Sequence, residues 1–135
     1  MYKNILIPVA LDQDRDLTSA VAVARQLSDD GARITFAHVI EPVPMYVTEV
    51  IPPDVWSERR ELAAERMKEI SEGVPNAHFI IIDGSSGRAL TDWAKENGAD
   101  CIVIASHRPV FSDLFLGSTA TWVVRHAHCA VHVIR

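Results

Sequence analysis

Two short stretches in the last third of the chain carry residue types suited to holding an anion. Ser106-His107-Arg108-Pro109 follows the apolar run Cys101-Ile102-Val103-Ile104-Ala105, and Gly117-Ser118-Thr119 heads a helix-like run. Arginine presents a planar fork of donors that matches a phosphate, and the proline beside it stiffens the backbone. The first amides of a helix have no intrahelical acceptor, so negative charge is stabilised there by hydrogen bonds and by the helix dipole. Glycine admits close backbone approach or serves only the turn, and Ser118 binds an anion or only caps the helix; the two uses are compatible. A strand emptying into a polar loop, followed by such a helix start, is a phosphate-binding design.

Other constellations carry less. His126, His128, Cys129 and His132 crowd together in sequence. However, His126 falls in the last turn of the helix, where a cation complements the dipole, and Cys129 and His132 point to opposite faces of one strand, so no metal site is expected. Ser106 and His107 are neighbours on an extended segment, where side chains diverge, and no acid is placed to orient the histidine. We therefore expect no catalytic residue. Cys101 and Cys129 read as small buried thiols in a reducing compartment, and His38 as a structural histidine at the rim of a sheet.

The elements that must position these groups alternate along the chain. Apolar runs at Asn4 to Ala10, Arg33 to Ile40, His78 to Asp83, Asp100 to Ala105 and Cys129 to Ile134 read as five strands. Between them, helical spacing marks Leu17 to Ser28 after Asp14 and Asp16, Val55 to Glu72, Arg88 to Asn97 and roughly Ser118 to Ala127. The expected inward positions are Val55, Leu62, Ala63, Met67 and Ile70 on the second helix, and Ala120, Val123, Val124 and Ala127 on the last. Asp30-Gly31 is expected to close the first helix, and Gly98 to cap the third. Residues 41–54, with Pro42, Pro44, Pro52 and Pro53, cannot continue a helix or a central strand; their apolar side chains form a functional lid or cover an edge of the core.

Strict alternation implies an α/β fold: a doubly wound, five-stranded parallel sheet with helices on both faces and right-handed crossovers. With strand order 3-2-1-4-5, a ligand binds beyond the carboxyl ends of strands one and four, where the order reverses. The loops after Val9 and Ala105 then face each other. Strand five falls at an edge with two apolar faces, and pairing with the same strand of a second copy would cover it as a homodimer.

At 135 residues, with 48% hydrophobic and 23% charged content, the chain reads as a single domain over 1–135 with a proper core. No apolar run is long enough to span a membrane, the start reads as a strand rather than a signal peptide, and cytoplasmic residence is expected. A formal charge of −5 argues against a nucleic-acid partner.

The chain also resembles the universal stress proteins over essentially its whole length. The resemblance lies in Lys3-Asn4-Ile5-Leu6-Ile7-Pro8-Val9, Ala37-His38-Val39-Ile40, Ile104-Ala105-Ser106-His107-Arg108-Pro109, Leu116-Gly117-Ser118-Thr119-Ala120 and Val123-Val124-Arg125-His126-Ala127. It implies the same five-stranded fold, a dimer, and membership of either an ATP-binding or a non-binding class. The binding class carries Gly, two residues, Gly, nine residues, then Gly and Ser or Thr. Here the stretch is Ala105, two residues, Arg108, eight residues, Gly117-Ser118, similar to a branch with Ser-His-Arg-Pro and the shorter spacing. Ala105 replaces the first glycine, and Ala10 stands where an acid usually follows Pro-Val, with Asp12 two positions on.

The resemblance implies ATP, with or without Mg, held by Pro8, Val9, Val39, Ser106, His107, Arg108, Gly117, Ser118 and Thr119. Adenine would lie near Val9 and Val39, and the phosphates at Ser106, Arg108 and the amides of residues 117–119. The expected role is a nucleotide-dependent regulator in the stress response, at most a very slow ATPase. The alternative is a dimeric interaction module whose site is vestigial or takes another small ligand.

Overall fold

The computed structural model describes residues 1–11, 17–106 and 116–135. Its elements are β1 (Tyr2–Pro8), α1 (Thr18–Leu27), β2 (Ser28–Ile40), α2 (Met45–Thr48), α3 (Pro53–Glu72), β3 (Ala77–Asp83), α4 (Ser86–Glu96), β4 (Cys101–Ala105), α5 (Ser118–His126) and β5 (Ala130–Ile134). The five strands form one parallel sheet in the order β3-β2-β1-β4-β5, as the alternation of apolar runs implies.

Because successive side chains on a strand point to opposite faces, a strand buried on both sides must be apolar throughout. Ile5, Ile7 and Val9 of the β1 segment and Cys101 and Val103 of β4 pack with Ala20 and Ala24 of α1 and Met67 of α3. Leu6, Ile102 and Ile104 face the other way, onto Leu90 and Ala94 of α4 and Ala120 and Val123 of α5. The sheet is therefore sandwiched by α1 and α3 on one side and α4 and α5 on the other. Asp100 fastens the amino-terminal edge, accepting hydrogen bonds from the amides of Lys3 (2.8 Å) and Asn4 (3.0 Å).

Several local expectations are corrected. β2 begins at Ser28, directly after α1, and not at Arg33. Its register against β1 jumps from Tyr2↔Ser28 to Asn4↔Arg33, and Gly31, at φ 76°, absorbs the extra residues inside the strand instead of closing the first helix. α3 starts at Pro53, two residues before Val55, because proline is tolerated where the amide would be unpaired anyway. The segment before it holds a one-turn helix, α2. Leu62 is exposed, since five residues at 100° each set it about 140° around the helix from buried Met67. Val124 is exposed as well: α5 leans on α4 and rests on β5, the last strand, so its far flank has no further strand to lie on. β5 itself buries one face only partly, and Ala130 and His132 on the other are exposed.

Candidate functional site

The crevice lies where β1 and β4 run in register, Ile5 beside Cys101 and Leu6 beside Ile102. Extending that register brings Val9 level with Ala105, so the chain leaves both strands at one end of the sheet. At that end stand Val9 and Ala10 after β1 and Ser106 after β4.

Val9 is locked in place by its backbone. Its amide donates to the Ala37 carbonyl at 2.8 Å, and its carbonyl accepts from His38 Nδ1 at 2.9 Å. A carbonyl can only accept, so that nitrogen carries the proton. His38 thus holds the β1 exit, a role for which the sequence offered no signal beyond its place at the end of a strand. The Val9 side chain packs in the α1/α3 cluster, whereas Val39 packs in the α4/α5 cluster. The side chains of Val9 and Val39, the residues near which adenine is expected, therefore lie on opposite faces of the sheet. Pro8 is half-buried at the end of β1.

Ser106 is only 4% exposed. Its amide donates to the Ile134 carbonyl at 2.9 Å, and its hydroxyl leans toward the same carbonyl at 3.4 Å. This ties the β4 exit to the end of β5. His107, Arg108 and Pro109 lie outside the described residues, as does Asp12.

Gly117 is the N-cap of α5 and, as a glycine, offers no side chain to cap it. Its φ of −57° and ψ of 157° suit any residue, and among the described residues a Cβ built on it would meet only the Ser106 carbonyl oxygen, at 4.0 Å. Neither backbone strain nor packing against the described residues requires glycine there. The amides of Ser118, Thr119 and Ala120 follow in the first turn, where no carbonyl one turn back can accept from them. Ser118 is exposed, and the Thr119 hydroxyl donates to Ser86 Oγ at 3.3 Å, joining the starts of α5 and α4. Among the sequence-predicted site residues, the structure thus brings Ser106 and Gly117 together and sets Ser118 and Thr119 directly after them.

The position of this helix start depends on a residue that local patterning did not single out. A Cβ on Gly87 of α4 would stand 2.6 Å from Cβ and Cγ of Trp122, so glycine lets α4 and α5 approach closely. Trp122 Nε1 donates to Thr91 Oγ1 at 3.4 Å, and the indole stacks on His126, with ring centroids 3.8 Å apart. The signal available in the sequence was the Gly84-Ser85-Ser86-Gly87 run, which reads first as a turn.

Electrostatics separate the two cysteines from this chemistry. Burial pushes the Cys101 thiol up to about 11 and raises Cys129 too, so neither is a ready thiolate near neutral pH. Both are free. Among the described residues, no three His, Cys, Asp or Glu side chains are grouped to hold a metal ion, and no helix is long and apolar enough to cross a membrane. An open cleft of about 450 Å³ between α1 and α3, lined by Thr18, Val21, Arg25 and Ile70 among others, lies on the flank of the sheet and has no carboxylate in its lining.

The model of the universal stress protein family matches residues 1–135. A universal stress protein of Thermus aquaticus is 32% identical over 139 residues, covering 100% of both chains. The solved structure of UspA from Lactobacillus plantarum superposes with a TM-score of 0.76 at 26% identity, covering 99% of this chain and 98% of that one. Three solved structures share the fold at lower identity and contain ligands. One is a universal stress protein in complex with cAMP (23%, TM-score 0.62, coverage 99% and 97%). The second comes from Archaeoglobus fulgidus in complex with dAMP (21%, TM-score 0.66, coverage 99% and 98%). The third, from Arabidopsis thaliana, has AMP bound (16%, TM-score 0.61, coverage 98% and 90%).

Proposed function

Because the chain belongs to the universal stress protein family, we propose that residues 1–135 form one domain that binds an adenine nucleotide, ATP with magnesium, beyond the carboxyl ends of β1 and β4. The observation that carries this reading is Gly117. Its backbone does not need glycine and, among the described residues, only the Ser106 carbonyl oxygen comes as near as 4.0 Å to where a Cβ would stand, so the bare position favours an anion at the first amides of α5. Relatives of this fold crystallised with cAMP, dAMP and AMP support an adenine nucleotide as that anion. His107 and Arg108 then complete the phosphate contacts from the loop after Ser106, and the backbone at Pro8, Val9 and Val39 lines the base end. Turnover on this reading is slower than about 1 s⁻¹, and the protein works in the cytoplasm as a nucleotide-dependent regulator.

Titration calorimetry tests this reading. ATP with magnesium binds with a Kd of roughly micromolar, about −8 kcal/mol. Gly117→Val abolishes binding with an unchanged circular dichroism spectrum, and Arg108→Ala weakens it by about 1.5 to 3 kcal/mol, as for a lost charged hydrogen bond. Absence of binding of ATP and AMP by the folded protein, with and without magnesium, would overturn it.

A second reading, a dimeric interaction module, is favoured by one observation: β5 ends the sheet with Ala130 and His132 exposed on one face. An unpaired edge of this kind is a template for a second copy, and a twofold pair of β5 strands would satisfy both. The two readings are compatible. Light scattering at tens of micromolar gives twice the chain mass if β5 pairs, and a monomer mass rules the pairing out.

A further inference from the structure

The segment after β2 presents apolar side chains to solvent. Met45 is 79% exposed, Tyr46 71% and Val50 80%. Were this segment a cover for the core edge, these side chains would be the ones turned inward; the fold makes almost no use of them. Yet the backbone beneath them is ordered by its own hydrogen bonds. The amide of Val47 donates to the Pro44 carbonyl at 2.9 Å, Glu49 to Met45 and Ile51 to Val47, each at 3.1 Å, and Thr48 Oγ1 donates to the Met45 carbonyl at 2.7 Å. Pro42 and Pro44 stiffen the entry, and Pro52 and Pro53 the exit. Tyr46 and Val50, four residues apart on this helical turn, stand on one side of it. A preformed turn of this kind presents its side chains with little entropy left to lose on binding.

The charge around the turn selects the occupant. Between residues 41 and 58 the chain carries Glu41, Glu49, Asp54 and Glu58 and no lysine or arginine. The next cations are already engaged: Arg59 lies 5.8 Å over the Trp56 ring, and Arg60 forms a two-pronged ion pair with Asp83 at 2.9 and 3.1 Å. A second copy docked through this turn about a twofold axis would set like charges against each other. Phosphates of a nucleotide and anionic lipid headgroups meet the same repulsion. We infer that the turn formed by α2 is a docking surface for a basic, apolar segment of another protein, with Met45, Tyr46 and Val50 as the apolar contacts and Glu49 and Asp54 as the ion partners. Tyrosine and methionine are the residue types that anchor and adapt at such surfaces.

The test uses the full chain and an 18-residue helix-forming peptide with leucine on one face and lysine on the other, labelled for anisotropy. A matched peptide with glutamate in place of lysine is the control. The lysine peptide binds and the glutamate peptide does not. Met45→Ser with Tyr46→Ser weakens binding at least tenfold at unchanged circular dichroism, and Glu49→Lys weakens it severalfold and flattens its salt dependence. Undiminished peptide binding by the double variant would mean only a general attraction to an acidic chain and would overturn the inference. So would equal binding of both peptides, a fall in molar mass of the double variant, which would make a second copy the occupant, or a loss of ATP affinity in place of peptide affinity, which would make the turn a lid.

Discussion

α4 and α5 both begin at the carboxyl edge of the sheet, one after β3 and the other after β4, and their first turns are treated differently. At α4 the chain supplies its own anion: Glu41, just past the end of β2, accepts a hydrogen bond from the Ser86 amide at 3.2 Å. At α5 no such bond is made among the described residues, and the cap residue is a glycine with only the Ser106 carbonyl oxygen of those residues, 4.0 Å away, near its missing Cβ. The two starts touch, through Thr119 and Ser86. Two positively polarised ends side by side would repel, so filling one with a carboxylate lets the other remain available. An internal acid at one end and bare glycine at the other is the arrangement expected of one structural and one ligand-binding terminus.

The largest effect should come from breaking the packing that sets the two helices side by side. Gly87→Ala forces a methyl into the base of Trp122, where no flexible tip can move aside, and costs about 1 to 3 kcal/mol of stability in denaturant unfolding. It shifts the start of α5, so ATP affinity falls in the same variant; unchanged stability would show that the helices separate without cost. Next, Gly117→Asp turns the open end into a copy of the closed one. An aspartate cap adds a few tenths of a kcal/mol or more to the stability of α5, while its carboxylate competes with phosphate. The expected outcome is a protein at least as stable that no longer binds ATP, and retained affinity would place the anion elsewhere.

Opening the closed end is a smaller perturbation. Glu41→Gln keeps a hydrogen-bond acceptor but removes the charge, lowering stability by about 0.3 to 1 kcal/mol in low salt and less in high salt. ATP affinity stays within about twofold if the two ends act separately. The smallest effect belongs to Asp83, at the end of β3 ahead of α4. Its hydrogen bonds from Arg60 hold the carboxyl below its ordinary range, although the pair is largely exposed. A lowered folded-state value gives stabilisation that is present above the unfolded carboxylate range, near 4, and is lost as pH falls through the folded value. Solvent screening keeps it small, so Asp83→Asn removes less than about 1 kcal/mol at neutral pH and shallows the acid limb of the stability profile.

Much of this comparison was legible before any coordinates. Alternating apolar runs and helical spacing specify a parallel sheet covered on both faces, and Gly117-Ser118-Thr119 marks a helix start suited to an anion. The local failures share a cause. Leu62 and Val124 were assigned inward by approximate periodicity, but which stripe is buried depends on where a helix meets the sheet. Asp30-Gly31 reads as the close of the first helix, which sets the expected start of β2 at Arg33; in the fold, Asp29 pairs with the chain's amino terminus and the segment is drawn alongside β1.

By itself, the sequence determined the five strands and the four longer helices in their chain order, because periodicity and turn chemistry act between residues only a few positions apart. It also determined that the chain is acidic and that residues 41–58 lack a cation. Tertiary structure alone decided which glycine serves packing and which leaves room. Gly87 and Gly117 are alike in sequence, yet a Cβ on one would collide with an indole and on the other would meet, among the described residues, only a carbonyl oxygen 4.0 Å away. Their difference depends on what lies across from them, and the partners, Trp122 and Ser106, are brought there by strand pairing and helix docking over separations that local patterns do not encode.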